Sequence, residues 1–225
     1  MPALHFLIAD DHPLFRAAMC ALLLDMLPEA RVVQTDSFDA LVAALAVHRG
    51  VDLVLLDLSM PGALGLSVLV YLRNERPATP VLVVSANDAP ATIRLTRQFG
   101  AAGFLPKSSE PARMLATVRA VLAGDEVFPE STMLPNEADA RLASRLAQLT
   151  PQQLRVLMAL ANGLLNKQIA HQLGVSENTV KVHVSAILRK LECVSRTQLA
   201  VLVKGLEAGI RYPPGAASSG RSAQP

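Results

Sequence analysis

LHFLIADD at residues 4–11 and VDLVLLD at residues 51–57 decide the fold of this chain. Each stretch is a short apolar run that ends in carboxylates, and runs of this kind are typical of buried strands in a parallel sheet. Such a sheet carries its functional groups just beyond the carboxyl ends of its strands. A single aspartate there would more simply cap a helix or a turn. Three of them, Asp10, Asp11 and Asp57, predict an acidic pocket.

Short apolar runs alternate with longer helical patterns from residue 4 to about residue 123, which indicates a doubly wound α/β domain. The predicted strands are residues 4–9, 31–34, 53–57, 81–85 and 102–105. The first helix is predicted to carry an apolar stripe, with Arg16 on its outer side. The stripe consists of Leu14, Ala17, Ala18, Ala21, Leu22 and Leu24.

The composition and the predicted secondary structure change at residue 124 and again at residue 149. Residues 124–148 are acidic and contain proline, and they end in a helical pattern, so they are predicted to be a linker with a short helix. From residue 149 the pattern is entirely helical, and the end of the chain is rich in Pro, Gly, Ala and Ser. The predicted domains are residues 1–123, a linker at 124–148, a helical domain at 149–209 and a flexible tail at 210–225.

The charge distribution separates the domains more clearly than the whole-chain charge of +2. Residues 1–123 carry a net charge of −1, residues 124–148 carry −3 and residues 149–225 carry +6. Binding to a polyanion is therefore expected in the C-terminal third. The apolar runs are too short to cross a bilayer, and the N-terminus lacks a signal-peptide pattern, so we expect a cytoplasmic protein without a membrane partner. Two distant cysteines predict neither a disulfide framework nor a zinc site.

The acidic pocket suggests a particular chemistry. Three carboxylates form a hard oxygen site that suits Mg²⁺. Asp57 then becomes a candidate nucleophile for phosphorus, provided that a metal and a cation neutralise the developing charge. Lys107 follows the last predicted strand and could supply that cation. Ser85 ends the preceding strand, and its hydroxyl could donate to a phosphoryl oxygen.

Residues 4–123 resemble the receiver domain of two-component response regulators, which has the CheY-like, flavodoxin-like fold. The matching motifs are Asp10-Asp11, DLSMPGALG from Asp57, Ser85-Ala86, and GFLPKSS around Lys107. The resemblance implies that Asp57 is the phosphoacceptor. One departure is Ala63-Leu64-Gly65, where many receivers have Met-Asp-Gly, but it removes no reacting group.

The same resemblance assigns roles to the other pocket residues. It implies that Asp10, Asp11, Asp57 and the backbone carbonyl of Ser59 hold Mg²⁺. Ser85 and Lys107 would bind the phosphoryl group. Phe104 occupies the position of the family's switch aromatic, although an ordinary core phenylalanine would also fit there.

In the C-terminal third, a short helix from Asn166 ends at Gly174, and a second helix is predicted over residues 177–191. Val180, Val184, Ile187 and Leu191 form its buried stripe. The opposite face carries Lys181, Ser185, Arg189 and Lys190, with Val182 and His183 near the leading end. A helix, a turn and a basic amphipathic helix suit the DNA major groove. The alternative from the residues alone is a solvated face on a plain helical bundle.

Residues 166–191, NKQIAHQLGVSENTVKVHVSAILRKL, resemble a LuxR-type helix-turn-helix, and the flanking LTP and SRTQLAV also match. The resemblance implies a DNA-binding set of Asn166, Lys167, Thr179, Lys181, Val182, Ser185 and Arg189. It also implies that the last helix, about residues 195–208, pairs two such domains. The chain departs from the family at residues 152–155, where QQLR replaces Arg-Glu-x-Glu and weakens an expected internal ion pair. Ser185 stands where some relatives have a second lysine.

Together the two parts resemble a response regulator of the NarL/FixJ family. The expected partners are promoter DNA, a sensor histidine kinase and a second copy of the chain, with RNA polymerase as a further candidate. We expect a regulator and not an enzyme. The alternatives are a DNA-binding protein whose receiver dimerises independently of phosphate, and an Mg²⁺-dependent phosphatase. Phosphatases of that kind usually have a second carboxylate two residues after the nucleophile, and that position is Ser59.

Overall fold

The computed structural model describes residues 3–62, 65–129 and 137–207. The departure at Ala63 and Leu64 and the predicted tail at 210–225 lie outside the described residues. Five parallel strands form one sheet in the order β2-β1-β3-β4-β5. The strands are β1 His5–Ala9, β2 Arg31–Thr35, β3 Leu53–Leu56, β4 Val81–Ser85 and β5 Gly103–Pro106. The predicted fold class is confirmed, with strand ends within one residue of those expected.

Five helices cover the two faces of this sheet. They are α1 Pro13–Met26, α2 Phe38–Val47, α3 Leu66–Glu75, α4 Pro90–Gln98 and α5 Pro111–Leu122. Alternate residues of β1 point to opposite sides, so Phe6 and Ile8 pack with α1 and α5 while Leu7 and Ala9 pack with α2, α3 and α4. The sheet is therefore buried on both sides, which is why its strands read as continuous apolar runs.

The predicted buried stripe of α1 is wrong except for Leu22, which packs against the core. The helix buries Met19 and Leu23, whereas Leu14 is 87% exposed. Ala17, Ala18 and Ala21 are also exposed. Alanine is apolar enough to mimic a buried stripe in a sequence pattern, but the larger methionine and leucine side chains gain more from burial and define the packed face.

The segment after α5 adds to the edge of the sheet. Val127 forms an isolated parallel bridge with Gly103. The Phe104 N–H donates to the Val127 carbonyl at 2.9 Å, and the Val127 N–H donates to the Ala102 carbonyl at 3.0 Å. A Cβ on Gly103 would lie 2.9 Å from the Val127 carbonyl oxygen, so a glycine is needed for this approach.

Residues 137–207 form five more helices: α6 Glu137–Ala147, α7 Pro151–Ala161, α8 Asn166–Leu173, α9 Glu177–Lys190 and α10 Arg196–Glu207. Thr150 and Gln153 form a capping box at the start of α7, and Gly174 ends α8 in the left-handed conformation. The core formed by α7, α9 and α10 continues into the apolar cluster on the α3 and α4 face of the sheet. Within the described ranges, no helix is both long and apolar enough to cross a membrane.

Candidate functional site

The register of the sheet places the predicted pocket residues side by side. Ala9 of β1 lies opposite Leu56 of β3, so the next residues, Asp10 and Asp57, lie at the same edge. Ser85 pairs with Pro106, which brings Lys107 to that edge as well. Asp10, Asp57 and Ser85 are 1%, 2% and 1% exposed. The predicted pocket is therefore a cluster of buried polar groups at one end of the sheet.

Lys107 joins the two buried carboxylates. Its Nζ lies 2.7 Å from Asp57 Oδ2 and 2.9 Å from Asp10 Oδ2. The Ser59 N–H donates to the other Asp57 oxygen at 3.1 Å, while the Asn87 N–H donates to the Ser85 hydroxyl at 3.1 Å. The Asp57 side chain thus has one oxygen on a backbone amide and one on an ammonium group.

Burial dominates the electrostatics of Asp57. It raises the pKa of this carboxyl above its ordinary value, against the hydrogen bond and charge of Lys107. Asp10 adds to the rise by repulsion. Burial alone would lower the pKa of Lys107, but its hydrogen bonds with Asp57 and Asp10 raise it instead. The ammonium group is therefore held in its charged form, as neutralisation of a phosphoryl group requires.

The donor set fits a divalent cation. One oxygen from each of Asp10, Asp11 and Asp57 and one ring nitrogen of His12 lie within 4.8 Å of one another. Three carboxylates against one ammonium leave two uncompensated negative charges. Asp10 Oδ2 is buried and accepts no well-aligned hydrogen bond despite its nearness to Lys107. Hard carboxylate oxygens with spare acceptor capacity suit Mg²⁺.

Phe104 is buried in β5, on the sheet face that also packs α3 and α4. Its backbone is hydrogen-bonded to the segment after α5, through Val127. A change in the position of Phe104 would therefore reach the start of the linker through a single hydrogen bond.

Sequence reasoning missed three residues around the pocket. His12 Nδ1 lies 2.7 Å from Asp11 Oδ1, and Arg16 donates to the Asp10 carbonyl at 2.6 Å. The Lys107 ammonium lies 5.1 Å from the centre of the Phe15 ring, a cation–π contact. All three lie within five residues after Asp11. This closeness in sequence to the Asp-Asp pair was the signal that could have placed them at the pocket.

The predicted DNA-reading face is on α9 and is exposed. The Ser176 hydroxyl caps this helix by accepting from the Thr179 N–H at 3.1 Å. Lys181, Ser185 and Arg189 are exposed, and Val182 is 62% exposed between them. Ser185 donates its hydroxyl to the Lys181 carbonyl at 3.0 Å. Among the described residues, no ion pair involves Lys181 or Arg189.

Lys190 does not belong to this face, contrary to the prediction. Its Nζ donates to the Gln148 carbonyl at 2.7 Å and to Gln153 Oε1 at 2.8 Å. The ammonium group is therefore occupied at the start of α7. Of the remaining predicted contacts, Lys167 and Thr179 are exposed, and Asn166 is half-buried and accepts from Arg196 at 3.3 Å.

Comparison with known protein families identifies both parts. The model described as "Response regulator receiver domain" matches residues 6–119, and "Bacterial regulatory proteins, luxR family" matches residues 147–203. The glycerol metabolism activator of Pseudomonas putida is 42% identical over 208 residues, covering 88% of this chain and 94% of that protein. The nitrate/nitrite response regulator NarL of Escherichia coli K12 is 36% identical over 203 residues, covering 88% and 93%.

The chain belongs to the NarL/FixJ family of two-component response regulators. It is a DNA-binding transcriptional response regulator with an N-terminal receiver and a C-terminal LuxR-type domain. A solved structure of two RcsB dimers bound to two parallel DNAs has the same fold, with a TM-score of 0.54 at 23% identity. That similarity covers 90% of this chain and 98% of the other.

The departure of this response regulator at residues 152–155 has a structural consequence. Gln153 stands at one of the glutamate positions of the family pattern, and its side chain binds both the Thr150 N–H and the Lys190 ammonium. The contact that could have been an ion pair is thus a hydrogen bond between a charged and a neutral group. The predicted loss of charge is real, but the connection between α7 and α9 is retained.

The receiver and the DNA-binding domain share an interface on the α3 side of the sheet. Asn74 of α3 donates to the Leu149 carbonyl at 2.8 Å, and α10 also contacts α3. A cleft of about 470 Å³ lies between the domains, and Ser59, Ser85 and Asn162 are among its lining residues. The end of α7 therefore borders the cleft next to the acidic pocket, while the predicted DNA-reading face of α9 is exposed.

Proposed function

We propose that this response regulator accepts a phosphoryl group on Asp57 from a partner histidine kinase, and that this modification controls its binding to promoter DNA. The observation that carries the proposal is the 2.7 Å contact between Lys107 Nζ and Asp57 Oδ2 in a buried pocket with two further carboxylates. This arrangement combines a nucleophile with the cation that its product needs.

In the transfer step, one Asp57 oxygen forms the new bond to phosphorus, while the bond from phosphorus to the donor's imidazole nitrogen breaks. The imidazole keeps the bonding electron pair and takes up a proton. Lys107 stabilises negative charge on the phosphoryl oxygens, and the Ser85 hydroxyl donates to one of them. Asp10, Asp11, Asp57 and the carbonyl of Ser59 would hold Mg²⁺, which supplies further charge neutralisation and orientation when it is bound.

We propose that phosphorylation changes the contacts between the receiver and the DNA-binding domain in two ways. When the Ser85 hydroxyl turns to the phosphoryl group it leaves the Asn87 N–H, which changes the wall of the cleft that also contains Asn162. Phe104 then repacks and moves the segment bonded to it at Val127. We propose that both changes weaken the contact between α3 and α10, and that release of α10 allows two DNA-binding domains to pair.

On DNA, we propose that Lys181, Val182 and Ser185 reach base edges in the major groove. The other proposed contacts are to phosphates, and they come from Asn166, Lys167, Thr179 and Arg189. The expected assembly is a homodimer on promoter sites, with RNA polymerase as a further candidate partner and the cytoplasm as the compartment. We assign residues 1–123 to the receiver, 124–148 to the linker, 149–209 to the DNA-binding domain and 210–225 to a tail.

The test is labelling with radioactive acetyl phosphate in the presence of Mg²⁺. We expect the wild type to incorporate label and Asp57→Asn to incorporate none, because the amide lacks the nucleophilic oxygen. Asp25→Asn, which changes an exposed aspartate of α1, should label like the wild type. Label retained by Asp57→Asn would refute the assignment of the phosphoacceptor.

A further inference from the structure

The Lys107 ammonium has an aromatic neighbour as well as its two carboxylate partners. Phe15 is the third residue of α1, and it is half-buried against the apolar cluster on the α1 and α5 face of the sheet. The Lys107 Nζ lies over this ring, 5.1 Å from its centre. A cation within about 6 Å of a ring centre is attracted by the negative charge density of the ring face. The ring is therefore a neutral group that attracts the ammonium.

The ring is fixed relative to the pocket. The Arg16 guanidinium donates to the Asp10 carbonyl at 2.6 Å, and the Arg16 N–H donates to the His12 carbonyl at 3.0 Å. These two bonds connect the first turn of α1 to the end of β1. Because Phe15 directly precedes Arg16 and also packs against the core, its ring cannot move away from the pocket without breaking one of these contacts.

The Lys107 side chain is the most flexible part of the pocket. Its backbone N–H donates to the Ser85 carbonyl at 2.9 Å, which fixes its Cα just beyond β5. A four-carbon stem separates the ammonium from the backbone, and ordering this stem costs conformational entropy. Contacts that already hold the ammonium in place before the reaction reduce the ordering that remains for the transfer step.

The ring and the carboxylates behave differently during the proposed transfer. When Asp57 accepts a phosphoryl group it ceases to be a carboxylate, and Lys107 has to turn an N–H toward a phosphoryl oxygen. The charge distribution of the Phe15 ring stays the same throughout. The ring also attracts the ammonium without offering an oxygen that would compete with the phosphoryl group for the N–H groups.

We propose that Phe15 is a positioning residue for phosphoryl transfer, and that its ring face holds the Lys107 ammonium where the phosphoryl oxygens arrive. The inference rests on the proposed function, which assigns Lys107 to the phosphoryl group. It requires an aromatic side chain at position 15 and not only an apolar one. A leucine would keep much of the packing but would lack a ring face that attracts a cation.

The first experiment measures the rate constant of labelling by acetyl phosphate in the presence of Mg²⁺. We expect Phe15→Leu to be labelled at least about threefold more slowly, since the loss of a cation–π contact corresponds to a factor of about two to thirty. Phe15→Tyr keeps the ring face and should be labelled within about twofold of the wild-type rate.

Ring fluorination at position 15 separates the electrostatic contact from packing. Each fluorine withdraws charge from the ring face and changes the shape of the ring little. We expect the labelling rate to fall stepwise as Phe15 is replaced by phenylalanines with one, two and three ring fluorines. The urea midpoint of the protein in EDTA should fall in the same order. In Lys107→Met, where no ammonium lies over the ring, fluorination should leave the midpoint unchanged.

Two results would overturn the proposal. One is a labelling rate that does not depend on fluorination, and the other is an equal effect of fluorination on the urea midpoint in the wild type and in Lys107→Met. If neither the wild type nor any variant incorporates label, the assignment of the phosphoacceptor fails instead. The urea measurements need neither metal nor phosphoryl group, so they alone then decide whether the ring holds the lysine.

Discussion

The proposed phosphorylation pocket and the proposed DNA-reading face differ in the burial and pairing of their charged side chains. In the pocket, Asp10, Asp57 and Lys107 are largely buried, and the one ammonium group contacts both carboxylates. On α9, Lys181 and Arg189 are exposed, and no ion pair in the described part of the chain includes them. Pocket residues should therefore affect both the stability and the chemistry of the receiver. Residues of the reading face should affect only the binding of a partner that brings the opposite charge.

The largest expected effect is the removal of the pocket cation. We expect Lys107→Met to lower the free energy of unfolding by about 3 kcal/mol at neutral pH, because it leaves two buried carboxylates without their ammonium partner. Arg113→Met, which removes an exposed cation of α5, should change it by less than about 0.5 kcal/mol. Urea denaturation of both variants measures the difference.

The pH dependence of that loss has a defined sign. Burial already raises the pKa of Asp57, and loss of the Lys107 ammonium raises this pKa further. When the pKa of a group is higher in the folded than in the unfolded state, the free energy of unfolding of the protein falls as the pH rises through the folded-state pKa. Lys107→Met should therefore be less destabilised at pH 5 than at pH 8. An equal loss at both values would show that the lysine acts through packing and not through charge.

The second comparison separates two lysines of the same helix. Lys181→Ala should weaken DNA binding by about 1–3 kcal/mol and leave thermal stability unchanged, because no ion pair among the described residues includes its side chain. Lys190→Ala should lower thermal stability, since it loses hydrogen bonds to Gln148 and Gln153, and should have the smaller effect on DNA. Affinity measurements and thermal melts on both variants test this. Equal loss of DNA affinity in the two would contradict the division of α9 into a reading face and an anchored end.

The smallest expected effect concerns the segment that connects the two regions. Gly103→Ala places a Cβ 2.9 Å from the Val127 carbonyl oxygen and 3.1 Å from Leu82, so we expect a loss of about 1–2 kcal/mol. The amides of Phe104 and Val127 should then exchange faster with deuterium. Gly50→Ala, whose Cβ meets open space, is the control. Unchanged exchange at Val127 in Gly103→Ala would show that this segment is held by other contacts.

Much of the fold and of the pocket could be predicted from sequence, because both depend on strand order and on strand ends. Asp10, Asp57, Ser85 and Lys107 each lie at or just after the end of a strand, and parallel strands bring their ends together in any sheet of this type. The predicted α9 stripe was also largely correct, since Val180, Ile187 and Leu191 are buried and Val184 is half-buried against the same core.

The parts that could not be predicted depend on contacts between distant segments. The buried face of α1 is set by its packing against α5, and the alanines obscured it. Lys190 is anchored by residues about forty positions earlier in the chain. The pairing of Val127 with Gly103 and the bond from Asn74 to Leu149 likewise carry no periodic signal. Only the three-dimensional arrangement identifies them.

The central claim is that the pocket controls the reading face. The most direct measurement is the affinity for a DNA duplex, selected by the wild-type protein from a random pool, with and without beryllofluoride and Mg²⁺. Beryllofluoride mimics the phosphoryl group on an aspartate. We predict at least about tenfold tighter binding with it for the wild type, corresponding to about 1.4 kcal/mol, and no change for Asp57→Asn. Equal affinity of the wild type under both conditions would contradict the account and favour a receiver that acts independently of phosphate.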